Sequence, residues 1–176
     1  MLNKKLVTIV CLVFFAANAL LAQNKFVGSK SCKMCHNNPA KGEQYNKWSN
    51  TLHSKAFATL SGDAAMTYAK ANGIADPSKE AKCLKCHSTA AAADASLLTA
   101  TITKEEGVSC ESCHGAGSAY KTMSIMKDKA TAITNGLVIP DQKTCEKCHI
   151  AEGNPFFKPF DYTSMVAKIS HKDPSK

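Results

Sequence analysis

The spacing of hydrophobic and polar positions predicts short helices separated by brief polar links. Apolar side chains recur at helical spacing from residue 42 to residue 60, and Ser31 is a candidate cap for an earlier helical turn. Start and stop signals predict a helix from Asp63 to about residue 71, and others that begin near Asp76, Ser118, Asp141 and Asp161. The helix from Ser118 is expected to run to residue 135, and the last to His171. Only the threonine-rich stretch 97–103 favours an extended conformation.

The first 22 residues have the layout of an export signal. Two lysines precede an apolar run, small residues follow it, and cleavage is predicted after Ala19 or Ala22. Cys11 lies in this leader, where the bulky Val10 before it does not fit a lipidation box. The sequence therefore predicts a signal peptide at 1–22 and a single periplasmic domain at 23–176, without a stable membrane anchor.

The pattern Cys-x-x-Cys-His occurs four times, at residues 32–36, 83–87, 110–114 and 145–149, the first to fourth motifs. This pattern attaches a c-type haem, because its two thiols add to the porphyrin vinyl groups and its histidine ligates the iron. Positions i, i+3 and i+4 share one face of a helical turn, so all three side chains meet one macrocycle. The predicted attachment residues are Cys32, Cys35, Cys83, Cys86, Cys110, Cys113, Cys145 and Cys148, and the predicted iron ligands are His36, His87, His114 and His149.

The four motifs use every cysteine except Cys11, which leaves none of the exported chain's cysteines for disulfides. Cys-x-x-Cys pairs also bind zinc, but zinc sites do not require a histidine directly after the second cysteine in four copies out of four. We therefore expect four covalently bound haem c groups. A domain this small has little room for a separate apolar core, so the fold class predicted is mainly α, with short helices and loops wrapped around the four haems and little or no β-sheet.

The chain is basic, with a formal net charge of +8, and all of its basic residues are lysine. Without the two leader lysines, 20 lysines face 14 acidic residues, a net charge of +6 that the haem propionates would partly offset. The lysines are scattered and lack interleaved aromatic residues, so nucleic-acid binding is not predicted. A solvated lysine surface and the steering of an acidic redox partner both remain open.

Distal iron ligands are scarcer than irons. Outside the motifs the chain has only His53 and His171, and both are predicted to be distal ligands. Met123 and Met126 lie one helical turn apart after the third motif, and one of them could ligate iron or both could pack in the core. Even with one methionine, three distal ligands serve four irons. At least one haem is therefore expected to be five-coordinate and open to a small ligand such as nitric oxide.

These residues resemble the tetrahaem cytochrome c-554 family over nearly the whole exported chain. The resemblance is carried by the first motif with Trp48 and the sequence His-Ser-Lys-Ala at 53–56, by Asp76-Pro77, by the stretch 107–115, and by residues 152–155 and 160–171. It implies a mainly helical wrap around closely stacked haem pairs. His53 and His171 match family distal ligands, and the haem on Cys83, Cys86 and His87 would be the open one.

The chain departs from the family after the third motif, where Tyr120 to Met126 replace an expected distal histidine, and it has a shorter tail after His171. The family's founding members accept electrons from hydroxylamine oxidoreductase. The function predicted is electron transfer between redox proteins, rather than enzymatic catalysis. The alternatives are nitrogen-oxide binding or reduction at a five-coordinate haem, and a sensor or a subunit docked to a larger oxidoreductase.

Overall fold

A computed structural model describes residues 23–174, so the predicted leader, its cleavage sites and Cys11 lie outside the described residues. Within that range the longest α-helix has nine residues. Most helices span one or two turns, as the sequence predicts. They are α1 (Lys30–His36), α2 (Gln44–Ser49), α3 (Asp63–Ala71), α4 (Ala81–His87), α5 (Thr89–Ala92), α6 (Cys110–His114), α7 (Met123–Met126), α8 (Lys129–Thr134), α9 (Gln142–Glu146) and α10 (Tyr162–Ile169).

Short 3-10 turns lie at Pro39–Lys41, Ala58–Ser61, Ala95–Leu97 and Lys104–Glu106. In residues 23–174 strand-like pairing is confined to one parallel bridge between Phe26 and Leu98. Of the threonine-rich stretch, therefore, only Leu98 forms the bridge. The Thr99 and Thr101 hydroxyls donate to the carbonyls of Phe26 and Val27, at 2.9 and 2.7 Å, which ties the stretch to the N-terminal segment. The mainly α class with little or no sheet is confirmed.

The prediction of one helix over residues 42–60 is wrong, because α2 ends at Ser49. The hydroxyl of Thr51 donates to the Trp48 carbonyl at 2.7 Å, and that of Ser54 to the Ser49 carbonyl at 2.9 Å. Such side-chain bonds compete with the helix for its last carbonyls. His53 consequently lies in a series of turns, and the helical position expected for it is corrected.

The single helix expected from Ser118 to residue 135 is also wrong. The chain turns from Gly117 to Tyr120, forms α7, and starts α8 afresh with Asp128 as its cap, which accepts from the Thr131 N–H at 2.7 Å. Ser118 caps no helix, since its hydroxyl accepts from the Lys25 N–H at 2.8 Å. The methionines of this region therefore lie on the one-turn helix α7.

Three other boundaries differ from the sequence-based expectation. Asp76 caps a turn by accepting from the Ser78 N–H at 2.9 Å, and α4 begins only at Ala81. Ser31 lies inside α1, where its hydroxyl donates to the Val27 carbonyl at 2.9 Å. The last helix begins after Asp161 as predicted but ends at Ile169.

Asp141 starts α9 as predicted, through a reciprocal capping box with Thr144. The helix ends at Glu146, so the last residues of the fourth motif lie in the turns after it. The predicted helical turn for all four motifs is thus confirmed for the first three and only half formed in the fourth. Helix α3 has the predicted start and stop.

The apolar core of the described part is small. Its buried hydrophobic residues are Val27, Leu60, Ala69, Leu84, Ala90, Ile102, Tyr120 and Ala132. The buried polar side chains all lie within a motif or within three residues of one: Ser29, Ser88, Thr89, Ser109 and Glu111. No helix in residues 23–174 is long and apolar enough to cross a membrane.

Candidate haem-binding site

The third motif is bonded to segments that precede or follow the other three. It forms α6, whose first turn is capped by Ser109, the side chain of which accepts from the Glu111 N–H at 3.3 Å. The helix stops at Gly115, which has φ of +78°. A Cβ there would lie 2.8 Å from the Gly136 carbonyl, so only glycine fits this close approach.

Ser29 connects the first motif to the third. It is fully buried, its carbonyl accepts from the Cys32 N–H at 3.0 Å, and its hydroxyl accepts from the Cys110 N–H at 3.3 Å. The Cys32 and Cys110 thiols are neighbours, and their mutual influence is the main cause that raises the pKa of the Cys32 thiol and lowers that of Cys110. Predicted attachment cysteines of two motifs therefore lie near each other.

Thr89 connects the second motif to the third. This buried residue follows α4, and its hydroxyl accepts from the Ser109 N–H at 2.8 Å and lies 2.5 Å from the Ser112 hydroxyl. Its own N–H donates to the Gly107 carbonyl at 2.9 Å. The start of α6 is thus fixed against the end of the second motif.

The fourth motif has cysteine neighbours in two other motifs. Burial, followed by the nearby Cys145, raises the pKa of Cys113, and burial, followed by Cys86, raises the pKa of Cys148 to about 12. Val138, ahead of the fourth motif, also pairs with His114: its N–H donates to the His114 carbonyl at 2.9 Å. Neighbouring cysteines thus link the first motif to the third, the third to the fourth, and the fourth to the second.

A cavity of about 1370 Å³ opens beside the last three motifs. Its wall includes His53, His87 and His149 with apolar side chains of α10. Four attachment cysteines also line it: Cys86, Cys113, Cys145 and Cys148. Ordinary small-molecule pockets hold roughly 300–1,000 Å³. The volume and the apolar wall suit flat, largely apolar macrocycles.

Each of the two histidines outside the motifs faces one motif histidine. The ring centroids of His53 and His149 are 6.0 Å apart, and those of His114 and His171 are 5.9 Å apart, both edge to face. One metal ion between two imidazoles, bonded to each at about 2 Å, requires ring centroids roughly 6 Å apart. The structure therefore brings His53 to the fourth motif and His171 to the third at a spacing that fits an iron between them.

Hydrogen bonds orient three of these imidazoles. The Nδ1–H groups of His87, His114 and His171 donate to the carbonyls of Ala56, Val138 and Ile169, at 2.8, 3.1 and 2.8 Å. A bond at Nδ1 leaves Nε2 as the free lone pair for a metal.

Partial burial favours the neutral form of three of the imidazoles. It lowers the pKa of His53, His114 and His149. The neutral ring is the form that ligates a metal.

The other two motif histidines have no histidine opposite them among the described residues. His87 faces the large cavity, while His36 lies half-buried at the end of α1. Of the methionines proposed as ligands, Met123 is 64% exposed and Met126 is half-buried, and within residues 23–174 neither is hydrogen-bonded to a motif histidine. The structure thus places His53 and His171 each beside one motif histidine.

Sequence reasoning missed three supporting residues. Phe160 stacks on the His149 ring with centroids 4.6 Å apart, Thr59 lies 3.1 Å from the His87 Nδ1, and Glu111 is the most deeply buried charged side chain described. Only Glu111 had a signal, since it lies within a motif; the other contacts join residues distant in the chain.

Comparison with known proteins agrees with this site. The family described as "Cytochrome c554 and c-prime" matches residues 31–115. Cytochrome c-554 of Nitrosomonas europaea is 26% identical over 162 residues, which cover 80% of this chain and 65% of that protein, so the chain spans about two-thirds of the relative's length. No solved structure matches. These similarities support a c-type cytochrome related to the cytochrome c-554 family, and c-type cytochromes hold haem c covalently.

Proposed function

We propose that the chain is a periplasmic electron carrier with four covalent haems, one on each motif. The observation that carries the proposal is the pair of imidazole–imidazole contacts, His53 with His149 and His114 with His171, at about the spacing that one iron requires. Haem supplies the one-electron redox chemistry when bound. Two haems with histidine on both sides have no free iron position, which suits electron transfer better than catalysis.

The contacts between motifs support a single route through the protein. Predicted attachment cysteines are close enough to influence each other's pKa from first to third motif, from third to fourth, and from fourth to second. Since each cysteine binds the edge of its own macrocycle, neighbouring cysteines imply neighbouring edges. We infer the order first, third, fourth, second for the haems along the chain of electron transfer.

The chain's own residues hold and orient this assembly. Backbone carbonyls fix three imidazoles at Nδ1, and apolar residues of α10 with Phe160 cover the cavity wall. The thiols become thioethers on attachment, so their pKa values matter only before haem is added. Donor and acceptor are proposed to be other redox proteins.

A haem count tests the proposal. We expect the pyridine haemochrome assay and intact mass to report four haem c groups per chain, and the purified N-terminus to begin after Ala19 or Ala22. A chain purified from a haem-c-attaching host with no attached haem contradicts the proposal, and a count below four identifies a motif that does not attach haem.

A second candidate function is the binding or reduction of a small nitrogen oxide such as nitric oxide. It is favoured by His87, which faces the 1370 Å³ cavity with no histidine opposite it in residues 23–174. We expect a high-spin ferric signal in electron paramagnetic resonance that changes on addition of nitric oxide. If all four haems are low-spin, this candidate is rejected.

Ligation of one iron by Met123 or Met126 remains a proposal, for a haem that has no second histidine. If Met123 or Met126 ligates iron, one haem has a higher reduction potential than the bis-histidine haems and shows a sulfur charge-transfer absorption. We expect replacement of the ligating methionine by alanine to remove that absorption. Its absence from the unaltered protein rejects both residues.

A docked subunit is the remaining alternative to a free carrier. Stable co-purification with a respiratory complex supports the docked subunit, and a monomer that exchanges electrons in a salt-dependent manner supports the carrier.

A further inference from the structure

Glu111 is a buried carboxylate inside the third motif, between Cys110 and Cys113. Its side chain is 2% exposed. It accepts four hydrogen bonds, all from backbone N–H groups: two from Val27 at 2.8 and 3.0 Å, one from Gly28 at 2.8 Å and one from Gly117 at 2.7 Å. Both oxygens act only as acceptors, which is the pattern of an ionised carboxylate.

None of these partners is a cation, so the negative charge of Glu111 is stabilised by dipoles and is not cancelled. A charge in such a buried place acts over several ångströms with little screening. Its effect reaches the neighbouring sulfurs: after the contact with Cys110 and burial, Glu111 is among the causes that raise the pKa of Cys32. A haem attached at Cys110 and Cys113 would lie in the same field.

The fourth motif offers a natural comparison. Glu146 occupies the position of Glu111 in its motif, but it is only half-buried and accepts from the exposed Gln142 side chain at 2.7 Å. Solvent screens its charge. Both motifs have a second histidine opposite the motif histidine, so the two haems would have the same pair of ligands. The two motifs differ in how strongly the glutamate charge is screened.

The motif histidines of the third and fourth motifs, His114 and His149, also differ, and this difference too would lower the potential of the third-motif haem. The His114 Nδ1–H donates to the Val138 carbonyl at 3.1 Å, which makes the imidazole a stronger donor to iron. The His149 ring instead stacks on Phe160, and no hydrogen bond to that ring is seen within residues 23–174. A stronger donor and a nearby negative charge both favour the ferric iron.

Resting on the proposed function, we propose that Glu111 is a redox-tuning residue that holds the reduction potential of the third-motif haem below that of the fourth-motif haem. An electron reaching a haem bound at the third motif would then pass downhill to a haem bound at the fourth, so that the first iron would be oxidised from ferrous to ferric and the second reduced from ferric to ferrous. No proton or atom is transferred. The external donor and acceptor are redox proteins, and Glu111 sets the direction of flow between them.

The test compares Glu111→Gln with the matched control Glu146→Gln. Redox titration followed by electron paramagnetic resonance is expected to show one low-spin haem shifted to higher potential in Glu111→Gln and a clearly smaller shift in Glu146→Gln. Equal shifts in the two variants, or none in Glu111→Gln, overturn the proposal. The haem count of each variant is measured alongside, so a failure of haem attachment is recognised separately.

Glu111→Asp separates charge from structure. Aspartate keeps the charge but reaches fewer N–H groups, so we expect lower stability with little change in potential. A potential shift as large as that of Glu111→Gln would show that Glu111 acts only through the fold.

If Glu111→Gln does not accumulate, the reduction potentials of the parent protein give an independent test, once two histidine variants have shown which signal belongs to which haem. His171→Ala labels the third-motif haem and His53→Ala labels the fourth, by loss of the corresponding low-spin signal. The signal lost in His171→Ala must be the lower in potential of the two. If it is the higher, the proposal is wrong. Absence of haem from the parent protein would instead reject the proposed function.

Discussion

His53 and His171 are the two histidines outside the motifs, and they lie far apart in the chain. Each lies about 6 Å from one motif histidine, and each depends on a local turn for its position. The His171 ring is held by the Ile169 carbonyl, just after α10 ends. The His53 carbonyl accepts from the Val108 N–H at 2.9 Å. These two residues account for all the histidines available as distal ligands.

Replacing either histidine by alanine should affect one haem each. We expect His53→Ala to convert the fourth-motif haem, and His171→Ala the third-motif haem, from low-spin to high-spin, because an imidazole ligand is lost. Spin quantification of the purified variants checks this. Asn72→Ala, at the exposed end of α3 and outside the cavity wall, should leave all signals unchanged. Loss of the same signal in both histidine variants would contradict the assigned pairs.

Asp76 gives a pH-dependent contribution to stability. Hydrogen bonds from Ser78 and Lys79 lower the pKa of its carboxyl to about 2, from a usual value of 3.8. Since the folded pKa is the lower one, this stabilisation is present above pH 3.8 and is lost as the pH falls toward 2.

The urea midpoint of unfolding should fall less between pH 5 and pH 2 in Asp76→Asn than in the parent protein. Asparagine keeps the turn but removes the titrating charge. Unfolding curves of both proteins across that range measure the difference. The control is Asn72→Ala, at the exposed end of α3, which removes no carboxyl group, so the urea midpoint should fall with pH as it does in the parent protein. Parallel curves for Asp76→Asn and the parent protein would show that Asp76 does not contribute.

At the scale of elements, Gly107 and Val108 hold the turn that carries His53. Gly107 has φ of +65°, and a Cβ there would lie 2.6 Å from the His53 carbonyl oxygen. The Trp48 indole N–H donates to the Val108 carbonyl at 2.9 Å. The link before the third motif thus packs directly against the turn that would supply a ligand to the fourth.

Gly107→Ala should therefore both destabilise the fold and disturb one haem. The strained φ and the contact together should cost about 1–3 kcal/mol of unfolding free energy. The matched control is Gly73→Ala, since Gly73 has φ of +67° and a Cβ added there would meet no atom within 4 Å among the described residues. Denaturant unfolding and the low-spin signal of the fourth-motif haem are measured together. Equal effects of the two variants would show that the contact with His53 is unimportant.

At the scale of the whole molecule, the protein has little apolar core of its own. Three of the eight hydrophobic residues buried in the described part are alanines, and large side chains such as Met34, Leu52 and Phe156 are more than half exposed. Because buried apolar area is the main favourable term in folding, these contacts alone leave little to offset conformational entropy. The 1370 Å³ cavity lies where a core would be expected.

We therefore expect the chain without haem to lack a cooperative fold. A variant with alanine at all eight motif cysteines cannot attach haem covalently, and its thermal unfolding followed by circular dichroism should show no sharp transition. A variant that loses only the two cysteines of the first motif serves as control and should retain a cooperative but weaker transition. A cooperative transition of the eight-cysteine variant near the parent temperature would contradict this expectation.

The sequence by itself determined the attachment chemistry and several helix starts. The Cys-x-x-Cys-His spacing is local, and so are the caps at Asp141 and Asp161, because each depends on residues within one turn. It did not determine where α2 ends, since Thr51 and Ser54 compete for its carbonyls. Only the tertiary structure decided which histidines pair, that Phe160 stacks on His149, and that Glu111 is buried. These contacts join residues far apart in the chain, and packing, rather than local spacing, brings them together.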